Sequence, residues 1–498
     1  MMGSDLNTTK KCTECGSVTL YLAISFSLLL SLICYTIESC HLAALAARAD
    51  SVSYFSMDSA FSNYCLPLFE KYGLFALNEQ GINLDSMIST YAGENCKSSP
   101  NSLLGYGSFL KLDCKDIDIT GIHYITDNNA EDFVNQVCDC VKYLELSNLA
   151  DELLNTSDTD IPEVFSQTDE GVADISFDNV DVFSLQQYIP DDMTTDGETD
   201  EDLSDIEPED FSSSVSSSIG HIIKNSLLSC IVDDPASVSS LSVDKIVLPS
   251  VTCELTMDGV NASFGYYKDS SKATLEKACF CEYITYTFGN YLNSNEDSAL
   301  KYQTEYIISG SADDDTNLIN TALQLISLRT GFNLVHLLSD KSKFNAAWKI
   351  AQAASSIPLA PYLIQATILT VWATAEAIID VRDLLSGKSV ALFKTSEQWS
   401  LSLQGLKNFS KDTHSVNDGL SGLSYERYLE MLLVFQNNIS VYYRTLDLIQ
   451  MDLCREYSDN FRISKCVTGI DVSFTYRLPY LVMSNSSIYQ RKYSFKYS

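Results

Sequence analysis

The stretch Val18–Ile37 (VTLYLAISFSLLLSLICYTI) constrains this chain more than any other. It runs for about twenty residues without a charge, Gly or Pro, the length that crosses a hydrocarbon core of roughly 30 Å. In such a core every backbone polar group must be satisfied within the segment, so the stretch reads as a helix. The apolar character ends at Glu38, yet nothing there stops a helix. Ser17 to Cys65 contains neither Gly nor Pro, and Leu42-Ala43-Ala44-Leu45-Ala46-Ala47 are strong helix formers. A continuous helix over that run would measure roughly 70 Å at about 1.5 Å per residue, over twice the membrane thickness. The expectation is a short tail (1–17), a transmembrane helix (18–37) and a stalk helix (38–66).

Lys10 and Lys11 precede the span, whereas Glu38 and Asp50 follow it with Arg48 nearby. Basic flanks stay on the cytoplasmic side, so the N-terminus is expected inside and residues 38–498 outside; Asp5 and Glu14 dilute that signal. A cleaved signal peptide competes, because Ala44-Leu45-Ala46 and Ala47-Arg48-Ala49 resemble small-residue cleavage sites. Against it, the apolar region exceeds the usual 7–15 residues, and Glu38 and His41 interrupt the approach to those sites. A prepilin-type cut after Gly16 is also open, although Tyr21 stands where the acidic residue of such a substrate belongs.

The formal net charge is -34, from 66 acidic and 32 basic residues. That balance repels nucleic acid and anionic headgroups, so neither is an expected partner of the main body. Of fifteen cysteines, Cys12 and Cys15 fall before the span, Cys34 within it and Cys40 at its outer edge. The others are Cys65, Cys96, Cys114, Cys138, Cys140, Cys230, Cys253, Cys279, Cys281, Cys454 and Cys466. Outside the cell these permit disulfides whose connectivity the spacing leaves open.

After the stalk, Pro67 and Gly73 are expected to break the helix. Residues 76–125 read as loops and short strands. Glu131 to Leu153 reads as a helix with Phe133, Val137, Cys140, Val141 and Leu144 on one face; 67–150 forms a first part of the ectodomain. Between Lys142 and Lys224 there is no Lys or Arg, and Asp and Glu recur before Ser212-Ser213-Ser214 and Ser216-Ser217-Ser218. Self-repulsion and few apolar groups mark 151–220 as an acidic, Ser-rich disordered insert.

The remainder, 221–498, reads as α-rich. Strands are expected over 240–251 and 262–267, and helices over 273–293, 297–309, 316–330, 332–354, 359–386 and 424–456. Gly469 to Leu478 alternates as a terminal strand. Leu359 to Ala375 is apolar enough to pose a second span, but it is only about seventeen residues long. With Glu376, Asp380, Arg382 and Asp383 directly after it, a core helix with a charged last turn fits better.

Chemical motifs are sparse. His41, His123, His221, His336 and His414 are scattered, with no His-Glu-x-x-His pattern, phosphate loop or dinucleotide fingerprint. Gly419-Leu420-Ser421-Gly422 misses the nucleophile-elbow spacing by one residue and reads as a turn. Cys12-x-x-Cys15 supplies half a tetrahedral zinc site and reads as an incidental pair. Cys138-x-Cys140 and Cys279-x-Cys281 are too close for an easy disulfide within a helix, so each cysteine must look elsewhere for a partner. Asp192-x-Thr194-x-Asp196-Gly197 opens like an EF-hand loop, but Leu203 stands at its twelfth position. Asp313-Asp314-Asp315 reads as a helix cap. Glu38 is either a boundary residue reaching water or a register contact to a neighbouring helix. No catalytic, cofactor-binding or metal-ligating residue is assigned, and the chain reads as non-enzymatic.

A series of phrases in order carries a resemblance. These are Gly16-Ser17-Val18-Thr19, Glu38-Ser39, Arg48-Ala49-Asp50 and Phe69-Glu70-Lys71-Tyr72-Gly73-Leu74-Phe75. Later come Leu300-Lys301-Tyr302 with Glu305-Tyr306-Ile307, Trp372-Ala373 with Ala375 to Arg382, and Lys394-Thr395 with Trp399. Leu423 to Leu429 and Tyr443 to Gln450 complete the set. The order resembles a domain-of-unknown-function family of Gram-positive, largely clostridial, membrane-anchored surface proteins. That family is encoded among tight-adherence (Flp-type) pilus genes and is similar to an enlarged TadE-type pseudopilin. The resemblance covers most of 16–78 and 299–470, skips the acidic insert, and departs at His41, where an arginine is expected, and in the many cysteines. It brings no catalytic residues with it. It implies a long N-terminal helix, membrane-held before assembly and bundled with pilin-like subunits afterwards, under an exported head. The small Ala43, Ala44, Ala46 and Ala47 would permit close helix approach. The expected fold is therefore α+β and predominantly helical, on a single-pass anchor at the cell membrane. The expected role is a minor or accessory pseudopilin-like component of a pilus or secretion machine. A membrane-tethered extracellular hydrolase or binding protein is the alternative.

Overall fold

The long N-terminal helix is present as α1, Thr9–Phe61. The computed structural model describes residues 9–97, 110–155, 206–244, 247–252, 270–354, 360–410, 413, 415–416, 422–481 and 485–497. The chain divides into one unit formed by residues 1–127 and 462–498 and another formed by residues 128–461, so the second is inserted into the first.

In the first unit, α1 is followed by α2 (Leu66–Tyr72), β1 (Leu77–Asn78), α3 (Leu84–Cys96) and β2 (Asp113–Tyr124). The chain returns as β3 (Cys466–Pro479) and β4 (Ser486–Lys496). β3 is the central strand of an antiparallel sheet, with β2 along one edge and β1 and β4 along the other. Its inward residues Ile470, Val472, Phe474, Tyr476 and Leu478 follow the two-residue period of a strand. They meet Leu45, Ala49, Val52, Met57, Ala60 and Phe61 of α1, spaced at helical period, and Leu84, Ile88 and Ala92 of α3.

Residues 41–61 therefore do not stand free as a stalk: they are the core helix of a small α+β head. The helix also stops before Cys65. Ser62 Oγ and Asn63 Nδ2 turn back onto the carbonyls of Asp58 and Ser59 and so satisfy the last turn. Pro67 sits in the first turn of α2, where its missing N–H costs nothing. Gly73, in the left-handed region at φ 67°, ends α2. Where loops and short strands were expected, α3 begins at Asn83, whose side chain accepts the N–H of Ser86 at 3.0 Å. The terminal strand is longer than expected and is joined by β4.

The second unit comprises α4 (Asp127–Asn155), α5 (Pro208–Asn225), α6 (Leu227–Ile231), α7 (Pro249–Thr252), α8 (Ser270–Thr287) and α9 (Gln303–Ser309). It continues through α10 (Asp314–Ser339), α11 (Lys341–Ala354), α12 (Ala360–Leu385), α13 (Leu403–Lys407), α14 (Tyr425–Phe435) and α15 (Asn438–Glu456). α10, α11 and α12 pack on one another, and α5 lies against α11, α12 and α13.

The helix expected at 131–153 is α4, with Phe133, Val137 and Val141 buried. The helices expected at 316–330 and 332–354 divide instead at Asp340. The helix expected at 297–309 begins only at Gln303. The one expected at 424–456 breaks at Gln436, because Asn437 caps α15 by accepting the N–H of Ile439 at 2.9 Å. The described residues of 240–251 form a single bridge, Ser242 to Asp313, and α7 in place of a strand; 245–246 and 262–267 lie outside the described residues. Asp313 occupies the N-cap position of α10, but its side chain makes no capping bond.

The Ser-rich end of the supposed insert is also corrected. α5 buries Phe211, Val215 and Ile219, one per turn, and exposes serines between them. Low intrinsic propensity is outweighed by one continuous apolar stripe. Residues 156–205 lie outside the described residues. α12, the possible second span, is a core helix, with 56% of its most apolar window buried within the protein. Its supposed charged last turn is buried as well: Glu376, Asp380 and Asp383 are all inside.

Candidate functional site

Two kinds of feature stand out from the fold: the two halves of α1, and two buried polar centres in the second unit. Over 18–37 the apolar side chains of α1, among them Leu20, Leu22, Phe26, Leu28 and Ile33, are more than half exposed. The run is long and apolar enough to cross a membrane. Its polar side chains add little cost there. Ser27, Ser31 and Thr36 each return their hydroxyl to a carbonyl one turn back, Ile24, Leu28 and Ile33, at 2.8 Å.

At Glu38 the environment changes. The Glu38 carboxylate accepts the backbone N–H of Leu481, in the turn between β3 and β4. Asp50 accepts the Tyr489 hydroxyl at 3.0 Å and faces Arg491 at 3.4 Å. Ser53 Oγ and the Tyr476 hydroxyl share a buried hydrogen bond of 2.8 Å. Phe61 stacks on Phe495 with ring centroids 4.3 Å apart. On the face turned away from this packing, Ala43, Ala44 and Ala47 are exposed.

The first buried centre lies among α10, α12, α14 and the segment after α12. The Lys394 ammonium sits between Glu376 and Asp380, 2.5 Å from the latter. Arg329 Nε donates to Asp380 at 3.0 Å and Asn333 Nδ2 at 2.9 Å, and Arg329 Nη1 also reaches the Tyr428 hydroxyl and the Leu392 carbonyl. Glu376 accepts the N–H groups of Ser400 and Leu401, both at 2.9 Å. Trp372 and Trp399 converge on the Leu401 carbonyl, each at 2.7 Å. Burial opposes the charge on Asp380, but Lys394 and Arg329 outweigh it and hold its carboxyl below the usual value. At Glu376 burial prevails over Lys394, and its carboxyl is pushed up. Two cations stand against two carboxylates, and every carboxylate oxygen is engaged. The centre clamps the segment 386–401 onto α12.

The second centre surrounds α9. Glu305 is fully buried; its Oε1 accepts the Tyr291 N–H at 2.8 Å and the Tyr425 hydroxyl at 2.7 Å, while Oε2 meets no donor. Burial pushes its carboxyl up to about 7 against these two donors. Asp314 holds the N–H groups of Lys301 and Tyr302, Asp447 accepts the Tyr306 hydroxyl and the Ser250 N–H, and Asp452 accepts the Ala299 N–H. These carboxylates fix irregular backbone by accepting its N–H groups.

Most phrases quoted above for the second half of the chain meet in these two centres, among them Glu305, Glu376, Asp380, Lys394, Trp399, Tyr425, Tyr428 and Asp447. Arg329 and Asn333 were missed. The available signal was a lone basic residue inside the apolar run Leu318–Val335.

The four described histidines stay apart. His336 stacks on Trp399 at 5.0 Å and lies 3.8 Å from Asp340, His123 Nε2 is 3.2 Å from Asp471, His221 is exposed and His41 is buried in α1. His414, the acidic stretch at 192–203 and residues 419–421 lie outside the described residues, as do the side chains of Cys12 and Cys15. Among the described residues no group of three or more His, Cys, Asp or Glu is placed to hold a metal ion.

A family described only as a family of unknown function, DUF5702, has a model that matches residues 206–478. No curated protein and no solved structure matches the chain.

Proposed function

We propose that this chain, which belongs to the DUF5702 family of unknown function, is a non-enzymatic, single-pass surface protein of the cell membrane. In this reading it serves as a minor or accessory pseudopilin-like component of a tight-adherence-type pilus or secretion machine in Gram-positive bacteria. The observation that carries the reading is α1 itself. One half is an apolar rod of spanning length, and the other is the core helix of an antiparallel-sheet head. Lys10 and Lys11 support an N-terminus held in the cytoplasm, with the bulk of the chain outside. The buried centre around Lys394 supports a structural role over catalysis, since its two carboxylates are paired with Lys394, Arg329 and backbone N–H groups. The hydrolase alternative draws less support, because the His336 ring is stacked on Trp399 with its ring centroid 5.0 Å away, and no nucleophilic side chain is hydrogen-bonded to its Nε2 among the described residues.

The test replaces residues 18–37 with an unrelated membrane-spanning helix in the full chain. The exchanged protein should remain in the membrane but no longer co-purify with pilin-like subunits, and filament assembly should fall. Unchanged co-purification and assembly would overturn the proposal.

A further inference from the structure

Twelve cysteine side chains are described, and all are thiols in this structure. They are not scattered evenly. Cys96 ends α3 and Cys114 opens β2; the Cys114 N–H faces the Cys96 sulfur, and both sulfurs lie near the Tyr476 hydroxyl. Cys138 on α4 lies 4.0 Å from the Glu276 carbonyl of α8, and its thiol is within hydrogen-bonding reach of the Cys279 thiol one turn further along. Lys142 lies close to both of these sulfurs. Cys65 donates its backbone N–H to Ala76, next to β1, and Cys466 stands across β1 as the partner of Asn78. Cys466 is fully buried with Cys65 as its neighbouring thiol. Each pair lies within one unit.

We propose that Cys65–Cys466, Cys96–Cys114 and Cys138–Cys279 are disulfide-forming pairs that close when the chain is exported. The proposal rests on the export half of the functional reading above. In each closure two S–H bonds are lost and one S–S bond forms. The two electrons and two protons lost pass to the disulfide of a thiol-oxidising exchange partner, which is reduced to a dithiol. A thiolate attacks that disulfide, and the second cysteine displaces the partner from the mixed disulfide. Burial raises the Cys114 and Cys138 thiols to about 11, which slows uncatalysed closure and favours oxidation before the core is complete.

The positions make physical sense of the links. Cys65–Cys466 ties the two chain segments of the first unit across the whole insertion, and Cys138–Cys279 spans the acidic stretch. Long closed loops gain most from a cross-link in the chain-entropy view. The two Cys-x-Cys pairs are resolved as well. Cys138 and Cys279 face each other, whereas Cys140 lies near Tyr283 and Cys281 near Lys277.

The test uses the full chain in the membranes of the organism that carries it. Thiols are blocked with N-ethylmaleimide before lysis, and peptides are mapped by mass spectrometry without reductant. In parallel, a membrane-impermeant amine reagent reads which lysines face outward. Three linked peptides are expected, joining 65 to 466, 96 to 114 and 138 to 279, each lost on reduction. C138S/C279S should remove one link and leave the other two. Alkylation of the six cysteines, or links in other combinations, would overturn the proposal. If the impermeant reagent labels the head while the six are alkylated, export stands and only the pairing falls. If it labels no lysine beyond residue 38 as well, both fall.

Discussion

Glu38 and Leu481 are joined by a carboxylate that takes one backbone N–H with both oxygens, at 3.0 and 3.2 Å. The last apolar turn of α1 is thereby fastened to the tip of the β3–β4 hairpin. Glu38 does not merely reach for water at a boundary, and its contact lies within its own chain. The boundary between the exposed rod and the docked helix is thus set by a specific bond as well as by hydropathy.

Replacing Glu38 with Ala should release that N–H. The group is exposed, so the stability cost is expected at about 0.5–1.5 kcal/mol. Hydrogen exchange at the Leu481 amide should accelerate several-fold, while amides in the middle of β3 keep their protection. Unchanged exchange at Leu481 would show that the bond holds nothing in solution.

Lys394→Met leaves Glu376 and Asp380 facing each other in a buried site with Arg329 as the remaining cation. Removing one partner of a buried ionic group costs about 3–5 kcal/mol, because the desolvated charge left behind is not compensated. Chemical denaturation of the full chain should show a loss of that size. Lys388→Met is the control: this lysine pairs with Asp383 at 3.2 Å but is 40% exposed, and its loss should cost about 1 kcal/mol or less.

Glu305 makes stability depend on pH in a definite direction. Its carboxyl is raised by burial from an ordinary 4.5 to about 7, so the folded chain holds this proton more tightly than the unfolded chain. The stabilisation is fully present below about pH 4.5 and is lost as pH rises through 7. The loss should approach about 3 kcal/mol above that point, at about 1.4 kcal/mol per pH unit. Other groups titrate in the same window, so the quantity to measure is the difference from Glu305→Gln, which cannot ionise. That difference should shift in favour of Gln between pH 5 and 7.5, and a flat difference would show that Glu305 titrates normally.

How far the sequence revealed the fold follows from the range of the forces involved. α1 and β3 were legible because their patterns are local: helical spacing of apolar residues in one, alternation in the other. The break between α14 and α15 has a local signal of its own, the capping Asn437. α3 and α5 are harder, because serines, threonines and Gly93 or Gly220 weaken their propensity and only the four-residue spacing of buried positions betrays them. The pairings within the buried centres were not legible, although many of their residues stand in the phrases quoted for the resemblance. Arg329 and Asp380 are 51 positions apart, and neither residue's neighbours say that the other will be within 3.0 Å. Local sequence made Glu376 and Asp380 look like a solvated helix end; only the arrival of Lys394 and Arg329 makes their burial possible.

The two faces of α1 should separate folding from assembly. Phe61 is buried against Phe495 and Tyr497, so Phe61→Ala should cost about 3–5 kcal/mol and weaken the head. Ala44 and Ala47 point away from that core and are exposed, so A44F/A47F should change stability by no more than about 0.5 kcal/mol. If α1 bundles with pilin-like neighbours, the same two phenylalanines prevent close helix approach, which depends on small residues. Co-purification with those subunits should then fall while the melting midpoint holds. If A44F/A47F leaves co-purification intact, the alanine face is not the contact surface, and bundling must use another face of α1.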